Sequence, residues 1–188
     1  MSEFSISSPD FEEAGEIPKK FGHMDEDGNC MFEAPKIELH NVPAGTKTTA
    51  MIMDDPDAMA VVGRIWVHWL EYTIYPDVEF GVSKGVEGLN DFGTLGYNGP
   101  APPDKRHTYI FKMYALDTDL DLKESYQKPE LEDAMKGHII AEAKLTGTYE
   151  MSLTLKKKLK KIKVVLNLRE KDLEKLVENN AVSAKKVF

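Results

Sequence analysis

The sequence predicts a mainly β protein with helices at its periphery, and three observations carry that reading. Between positions 36 and 115, short apolar segments are separated by the turn clusters NVPAGT, DDPDA, NDFG and YNGPAPPD, at the spacing of strands. Two of those segments, 64–74 and 109–116, alternate with period two and are largely apolar on both faces, as central strands are. Helical spacing enters only after Asp117.

Taken in order, 48–53 reads as a strand closed by Asp54-Asp55-Pro56, because Pro56 removes a backbone donor and holds Asp55 extended. Strict alternation in RIWVHWLEYTI places Trp66, His68, Leu70, Tyr72 and Ile74 on one face, and Val67, Trp69, Glu71 and Thr73 on the other. The next strand carries His107, Tyr109, Phe111 and Met113 on one side and Ile110, Tyr114 and Leu116 opposite. In PELEDAMKGHIIAEAKL, spacings of three and four predict a helix through Leu131, Ala134, Met135, His138, Ile139 and Glu142. Pro129 suits its first turn, Glu130, Glu132 and Asp133 suit the positive end of its dipole, and Gly137 weakens it. A final strand is expected near 145–155, then a lysine run, a short apolar VVL strand, and a helix over 167–180 capped by Asn167.

With 188 residues, 41% hydrophobic and 30% charged, the chain has the size and composition of a single globular domain. No apolar run approaches the roughly 20 residues that span a bilayer. The start MSEFSISSPDFEEAGE lacks the basic and apolar regions of a secretory leader, so a cytoplasmic protein is expected. The single cysteine, Cys30, forms no internal disulfide, and its acidic neighbours speak against a nucleophilic role. Charge divides the chain sharply. Residues 1–150 hold 13 Lys/Arg against 28 Asp/Glu, a net −15, whereas 151–188 hold 11 against 4, a net +7. The acidic body should repel nucleic acid, and the basic extension is expected either to dock on it or to serve as an interaction arm whose six clustered lysines contact acidic protein, anionic lipid or nucleic acid.

Asp55, His68, His107 and Tyr109 come from three separate segments. Singly, each has an ordinary structural reading as a turn cap, a core histidine, a strand opener and a core tyrosine. A histidine inside each of two apolar strands is less ordinary, since an unpaired buried polar ring costs about 1–3 kcal/mol. Three chemistries fit such a set. As a metal site, His, His and Asp suit zinc in number, yet spacings such as HExxH are absent. As a hydrolase, the chain offers no GxSxG elbow and no cysteine beside a histidine. An anion site needs only donors: loop N–H groups, the imidazoles of His68 and His107, and the Tyr109 hydroxyl, with Asp55 orienting a histidine. No metal, cofactor or catalytic residue is therefore assigned.

The segments MDDPDA, WVHW, GYNGPAPPDKRHTYIFKMYALD and AMKGHIIAEAKLTGTYE, in this order across roughly residues 4–151, resemble the phosphatidylethanolamine-binding protein family, in its bacterial and archaeal Raf kinase inhibitor-like branch. The resemblance implies an antiparallel β-sandwich with peripheral helices and a small pocket at one end for phosphate or phosphorylated head groups. It implies ligand-binding roles for Asp55, His68, Tyr97, Gly99, Pro100, His107 and Tyr109, with Asp57 as the second carboxylate of the family's DPDAP motif. The sequence departs from the family at Met59, where proline is usual, at Ala101, where cysteine is frequent, and at Thr108, where arginine is usual.

Two functions follow as expectations. One is a non-enzymatic binding protein for phosphate or a phosphorylated ligand, with a kinase or serine protease as a possible target and no membrane insertion. The other is a kinase or protease inhibitor working through loops at 76–105, independently of the pocket. The chain divides into a binding domain at 1–151 and a lysine-rich extension at 152–188, whose narrow stripe of Leu173, Leu176 and Val177 suits docking on the same chain or on a second copy in a homodimer.

Overall fold

The computed structural model describes residues 3–74 and 85–165. The expected helix at 167–180 and part of the expected inhibitory loops, 76–84, lie outside the described residues. Among the described residues eight strands form in chain order: β1 (Ser5–Ser7), β2 (Gly15–Glu16), β3 (Glu38–His40), β4 (Thr48–Asp55), β5 (Trp66–Ile74), β6 (Val86–Glu87), β7 (His107–Leu116) and β8 (Ile139–Tyr149). Three helices accompany them, α1 (Met59–Val62), α2 (Lys128–Met135) and α3 (Leu153–Val165).

Six strands make the main sheet in the order β2-β8-β7-β4-β5-β6, antiparallel except for the short parallel pairing of β2 with β8. The antiparallel pair β1-β3 forms a second sheet. The period-two pattern explains how the layers stack. Met51, Met53, Phe111 and Met113 leave one face of the main sheet and pack with Ile6 of the small sheet, with Phe4 just before it and with Ile37. Ala50, Ile52, Leu70, Tyr72 and Leu116 leave the other face and pack with Leu120, Tyr126 and the α2 residues Leu131 and Met135. The result is a mainly β fold of two facing sheets with a helix on the outer side. Burying a side chain such as Phe111, Met113 or Leu116 completely contributes about 1.5–3 kcal/mol each.

The chain departs from its sequence pattern after Met135. The helix that spacing alone extends to Glu142 stops at Met135, seven residues earlier, where Lys136 leaves helical geometry and Gly137 takes a φ of +78°. Residues 139–149 then run as β8 along β7. Tertiary pairing wins here because a continued helix would leave the β7 edge without partners for its backbone groups. The expected proline stands in the first turn of α2, and the structure adds a capping box that the sequence reading did not include, with the Gln127 N–H donating to Glu130 Oε2 at 2.7 Å.

The final strand therefore lies earlier than the expected 145–155, and the lysine run is helical up to Val165, including positions read as an apolar strand. Leu155 and Met151 are buried at the start of α3. Lys156 Nζ donates to the Asp104 carbonyl and to Glu150 Oε1, each at 3.1 Å, and Lys158 Nζ donates to the Asp27 carbonyl at 2.8 Å. Among the described residues no helix is long and apolar enough to cross a membrane.

Candidate functional site

Two adjacent carboxylates at the end of β4 go to opposite faces, as strand alternation requires. Asp54 is held between Lys112 at 2.6 Å and Lys128 at 2.7 Å and belongs to the scaffold. Asp55 turns to the other face, where Oδ2 accepts from His107 Nδ1 at 2.7 Å. Its Oδ1 accepts the Ala58 N–H at 3.1 Å, closing the turn that Pro56 begins. Asp57 Oδ2 accepts the Thr108 N–H at 2.8 Å and so ties that turn to the start of β7.

His68 reaches the same face through a break in the β5 pattern. Met53 pairs with Trp69, but Asp54 pairs with Val67, so His68 is an extra residue in its strand. This bulge shifts the alternation: Trp69 packs in the cluster of Phe111 and Tyr109, Leu70 and Tyr72 pack on the α2 side, and His68 returns to the Tyr109 side. The expected common face of Trp66, His68, Leu70, Tyr72 and Ile74 is thus split, and the split brings His68 to Tyr109, with ring centroids 5.2 Å apart. His107 and Tyr109, two residues apart on β7, share a face as read.

A third imidazole completes the group. His23 stacks on Phe92 at 4.8 Å, and Phe92 also meets the edges of Trp66 at 5.3 Å and His68 at 5.5 Å. Asn98 fixes two of these rings: its side-chain oxygen accepts from His23 Nδ1, and its carbonyl accepts from His68 Nδ1 at 2.7 Å. Gly99 and Pro100 support the site through backbone contact. A Cβ at Gly99 would lie 2.2 Å from the Phe21 carbonyl oxygen, and the Pro100 carbonyl accepts the His23 N–H at 3.0 Å. Tyr97 is placed apart from the histidines, with its hydroxyl donating to the Phe21 carbonyl at 2.6 Å and its ring against Trp69.

The electrostatics separate the three rings. Burial pushes His68 down to about 4 against its bond to Asn98 and the charge of Asp55, and burial lowers His23 as well. Both are neutral near pH 7, and since each donates Nδ1–H to Asn98, each Nε2 carries a lone pair. His107 differs. Its Nε2 faces Asp104 Oδ1 at 2.8 Å while Nδ1 faces Asp55, so each ring nitrogen meets a carboxylate. Asp104 has a 44% exposed side chain; desolvation works against its charge, but the Lys105 N–H and His107 hold it below the ordinary carboxylate range. Burial and the charge of Asp55 raise Tyr109 far above a normal phenol. His23 Nε2, Trp66 Nε1 and the Tyr109 hydroxyl are buried without a hydrogen-bond partner. Three buried polar atoms without partners around one ring cluster set it apart from an ordinary core and mark it as the candidate site.

The fold agrees with relatives found by comparison. A profile of the phosphatidylethanolamine-binding protein family matches residues 7–150. The chain belongs to that family. A UPF0098 protein of Methanothermobacter thermautotrophicus is 40% identical over 151 residues, covering 74% of this chain and 93% of the relative. One from Chlamydia muridarum is 37% identical over 154 residues, with 77% and 97% covered. The crystal structure of CT736, a phosphatidylethanolamine-binding protein homologue from Chlamydia trachomatis, matches with a TM-score of 0.71 and 36% identity over 81% of this chain and 100% of that one. Escherichia coli YbcL, described as a new member of the mammalian family, matches with a TM-score of 0.70 and 27% identity over 80% and 100%.

Within this phosphatidylethanolamine-binding protein fold, His23, Trp66, Phe92, Asn98 and Asp104 are parts of the site that sequence reasoning did not select. Asp104 had a usable signal, standing three residues before His107 in a turn. His23 had none, since it lies in an irregular acidic stretch 75 residues before Asn98. Among the described residues no group of three or more His, Cys, Asp or Glu is arranged to hold a metal ion.

Proposed function

We propose that the protein is a non-enzymatic binding module whose recess takes inorganic phosphate or a phosphorylated head group. The observation that carries this reading is the contact of His107 Nε2 with Asp104. A half-exposed carboxylate sits on a buried imidazole that Asp55 already holds from the other side. The Asp104 carboxylate occupies the position an external oxyanion would take, and its exposure lets it leave. Once it swings away, His107 Nε2–H, Trp66 Nε1–H and the Tyr109 hydroxyl are available donors. The lone pairs on His23 and His68 would repel a fully ionised phosphate. They accept instead from a P–OH group or take up a proton on binding. Affinity for phosphate is therefore expected to rise as the pH is lowered from about 8 to about 6, because proton uptake at neutral rings accompanies binding.

Titrating phosphate and then phosphoethanolamine while recording the five histidine ring signals by NMR tests this reading. Saturable shifts of His107, His68 and His23 are expected, and His107→Ala should abolish them. Asp104→Asn removes the competing charge and should tighten phosphate binding about fivefold, the worth of a charge contact screened by solvent. Unchanged or weaker binding in Asp104→Asn would show that Asp104 does not stand in for the ligand. Inhibition of a kinase or serine protease that survived His107→Ala would favour action through the surface loops instead.

A further inference from the structure

The family match ends at residue 150, and α3 lies beyond it. Its first turn is docked on the domain. Ser152 Oγ accepts the Leu155 N–H at 3.1 Å, which caps the helix, and Met151 and Leu155 are buried. From Leu153 to Val165 the helix carries six lysines and no acidic residue.

Two of these lysines reach the loops on either side of the histidine cluster. Lys156 Nζ donates to the Asp104 carbonyl at 3.1 Å, in the loop that runs from Pro100 into His107. Lys158 Nζ donates to the Asp27 carbonyl at 2.8 Å, in the loop that follows His23. The two contacts differ in what they hold. The Asp27 loop closes on itself, with the Asp25 carboxylate accepting the Asp27 and Asn29 N–H groups at 2.9 Å each. The Asp104 loop instead presents the carboxylate that lies on His107 Nε2. That carboxylate also accepts the Lys105 N–H, so the backbone at 104–105 and the contact with His107 move together. Lys156 is thus tied to the residue that must leave before an external anion can reach His107.

Lys156 is placed as a tie and not as a charge for the ligand. Its side chain is 18% exposed, and Glu150 Oε1 meets its ammonium at 3.1 Å. Paired in this way it presents little net charge to the histidines. Its bond to residue 104 goes to the carbonyl and not to the carboxylate. We propose that α3 straps the Asp104 loop in its occluding position, with Lys156 as the positioning residue, so that the C-terminal extension limits access of phosphate to His107, an inference that rests on reading the recess as a phosphate site. Loss of the Lys156 bond lets the Asp104 carboxylate leave His107 more often. Phosphate, which needs that departure, then binds more tightly in proportion to the open fraction.

The test uses the full-length protein and inorganic phosphate at constant pH and ionic strength, following the His107 ring signals and the exchange rate of the Lys105 amide by NMR. Lys156→Met keeps the stem that packs on the domain and removes the donor. It should tighten phosphate binding about threefold, within the roughly fivefold gain of Asp104→Asn, and speed Lys105 exchange in the absence of phosphate. Lys156→Arg retains a donor and should restore the parental values. In an Asp104→Asn background Lys156→Met should leave affinity nearly unchanged, since the competing carboxylate is already gone. Lys158→Met, the same change in the neighbouring tie, should leave it at the parental value. Parental or weaker phosphate binding by Lys156→Met would overturn the proposal, and weaker binding would make Lys156 a ligand contact instead. An equal gain from Lys158→Met would also overturn it, tracing the effect to general undocking of α3. No saturable phosphate binding by the parent or any variant would reject the phosphate reading alone, and an unchanged Lys105 exchange rate in Lys156→Met would then reject the strap as well.

Discussion

Replacing Asp55 with alanine will cost about 3–5 kcal/mol of folding stability, because it strands a buried charge partner. For a chain of this size that loss corresponds to a fall of about 10 °C in melting temperature. Asp55 and His107 are almost fully buried, and their 2.7 Å contact is what compensates the desolvation of both. Alanine leaves the His107 ring facing only Asp104, a largely solvated carboxylate, and leaves the Ala58 N–H without its acceptor. Asp55→Asn should cost clearly less. The amide oxygen can replace the carboxylate oxygen that accepts from Ala58, while the NH2 faces His107 Nδ1, which accepts from it once the ring proton sits on Nε2 toward Asp104, so a charged bond becomes a neutral one, worth about 1–2 kcal/mol. Urea unfolding at pH 7 of the two variants and the parent checks both the size and the order of the losses. A melting temperature for Asp55→Ala within about 2 °C of the parent would remove Asp55 from this role.

The same residue shows how far the sequence reaches. Its position was legible because Pro56 ends a strand and alternation sends neighbouring carboxylates to opposite faces, which is local geometry. The alternation of β7 was legible for the same reason, and with it the shared face of His107 and Tyr109. The placement of His68 was not. Strict alternation keeps His68 with Leu70, and only the register against Met53 and Asp54 reveals the extra residue. The contribution of His23 depends on Asn98 and Phe92, contacts that no local pattern encodes. The end of α2 was half legible: Gly137 marks a stop, yet the apolar spacing runs past it, and pairing with β7 decides. Glu71 could be assigned a face, but the facing carboxylate of Glu87 belongs to a two-residue strand too short to be recognised from its sequence.

Two buried groups pull the stability of the protein in opposite directions between about pH 4 and pH 7, and Glu71→Gln will separate them. His68 is held at about 4 instead of 6.5. In acid the unfolded chain takes up a proton that the folded ring refuses, so stability falls as the pH drops from 6.5 toward 4. Burial and the facing charge of Glu87 hold Glu71 at about 7 instead of 4.5. Here the unfolded chain releases its proton first, so stability falls as the pH rises from 4.5 toward 7. Each limb is worth about 3 kcal/mol at most, and over the shared range they largely cancel. Glutamine at position 71 keeps an acceptor for the Trp69 indole and removes the ionisation. Glu71→Gln should therefore match the parent near pH 4 and exceed it by up to about 3 kcal/mol at pH 8, leaving the acid limb of His68 visible alone. Urea midpoints measured across this range decide the matter. An equal gain at both ends would reflect packing rather than ionisation, and no gain at pH 8 would mean that the carboxylate is already compensated when it ionises.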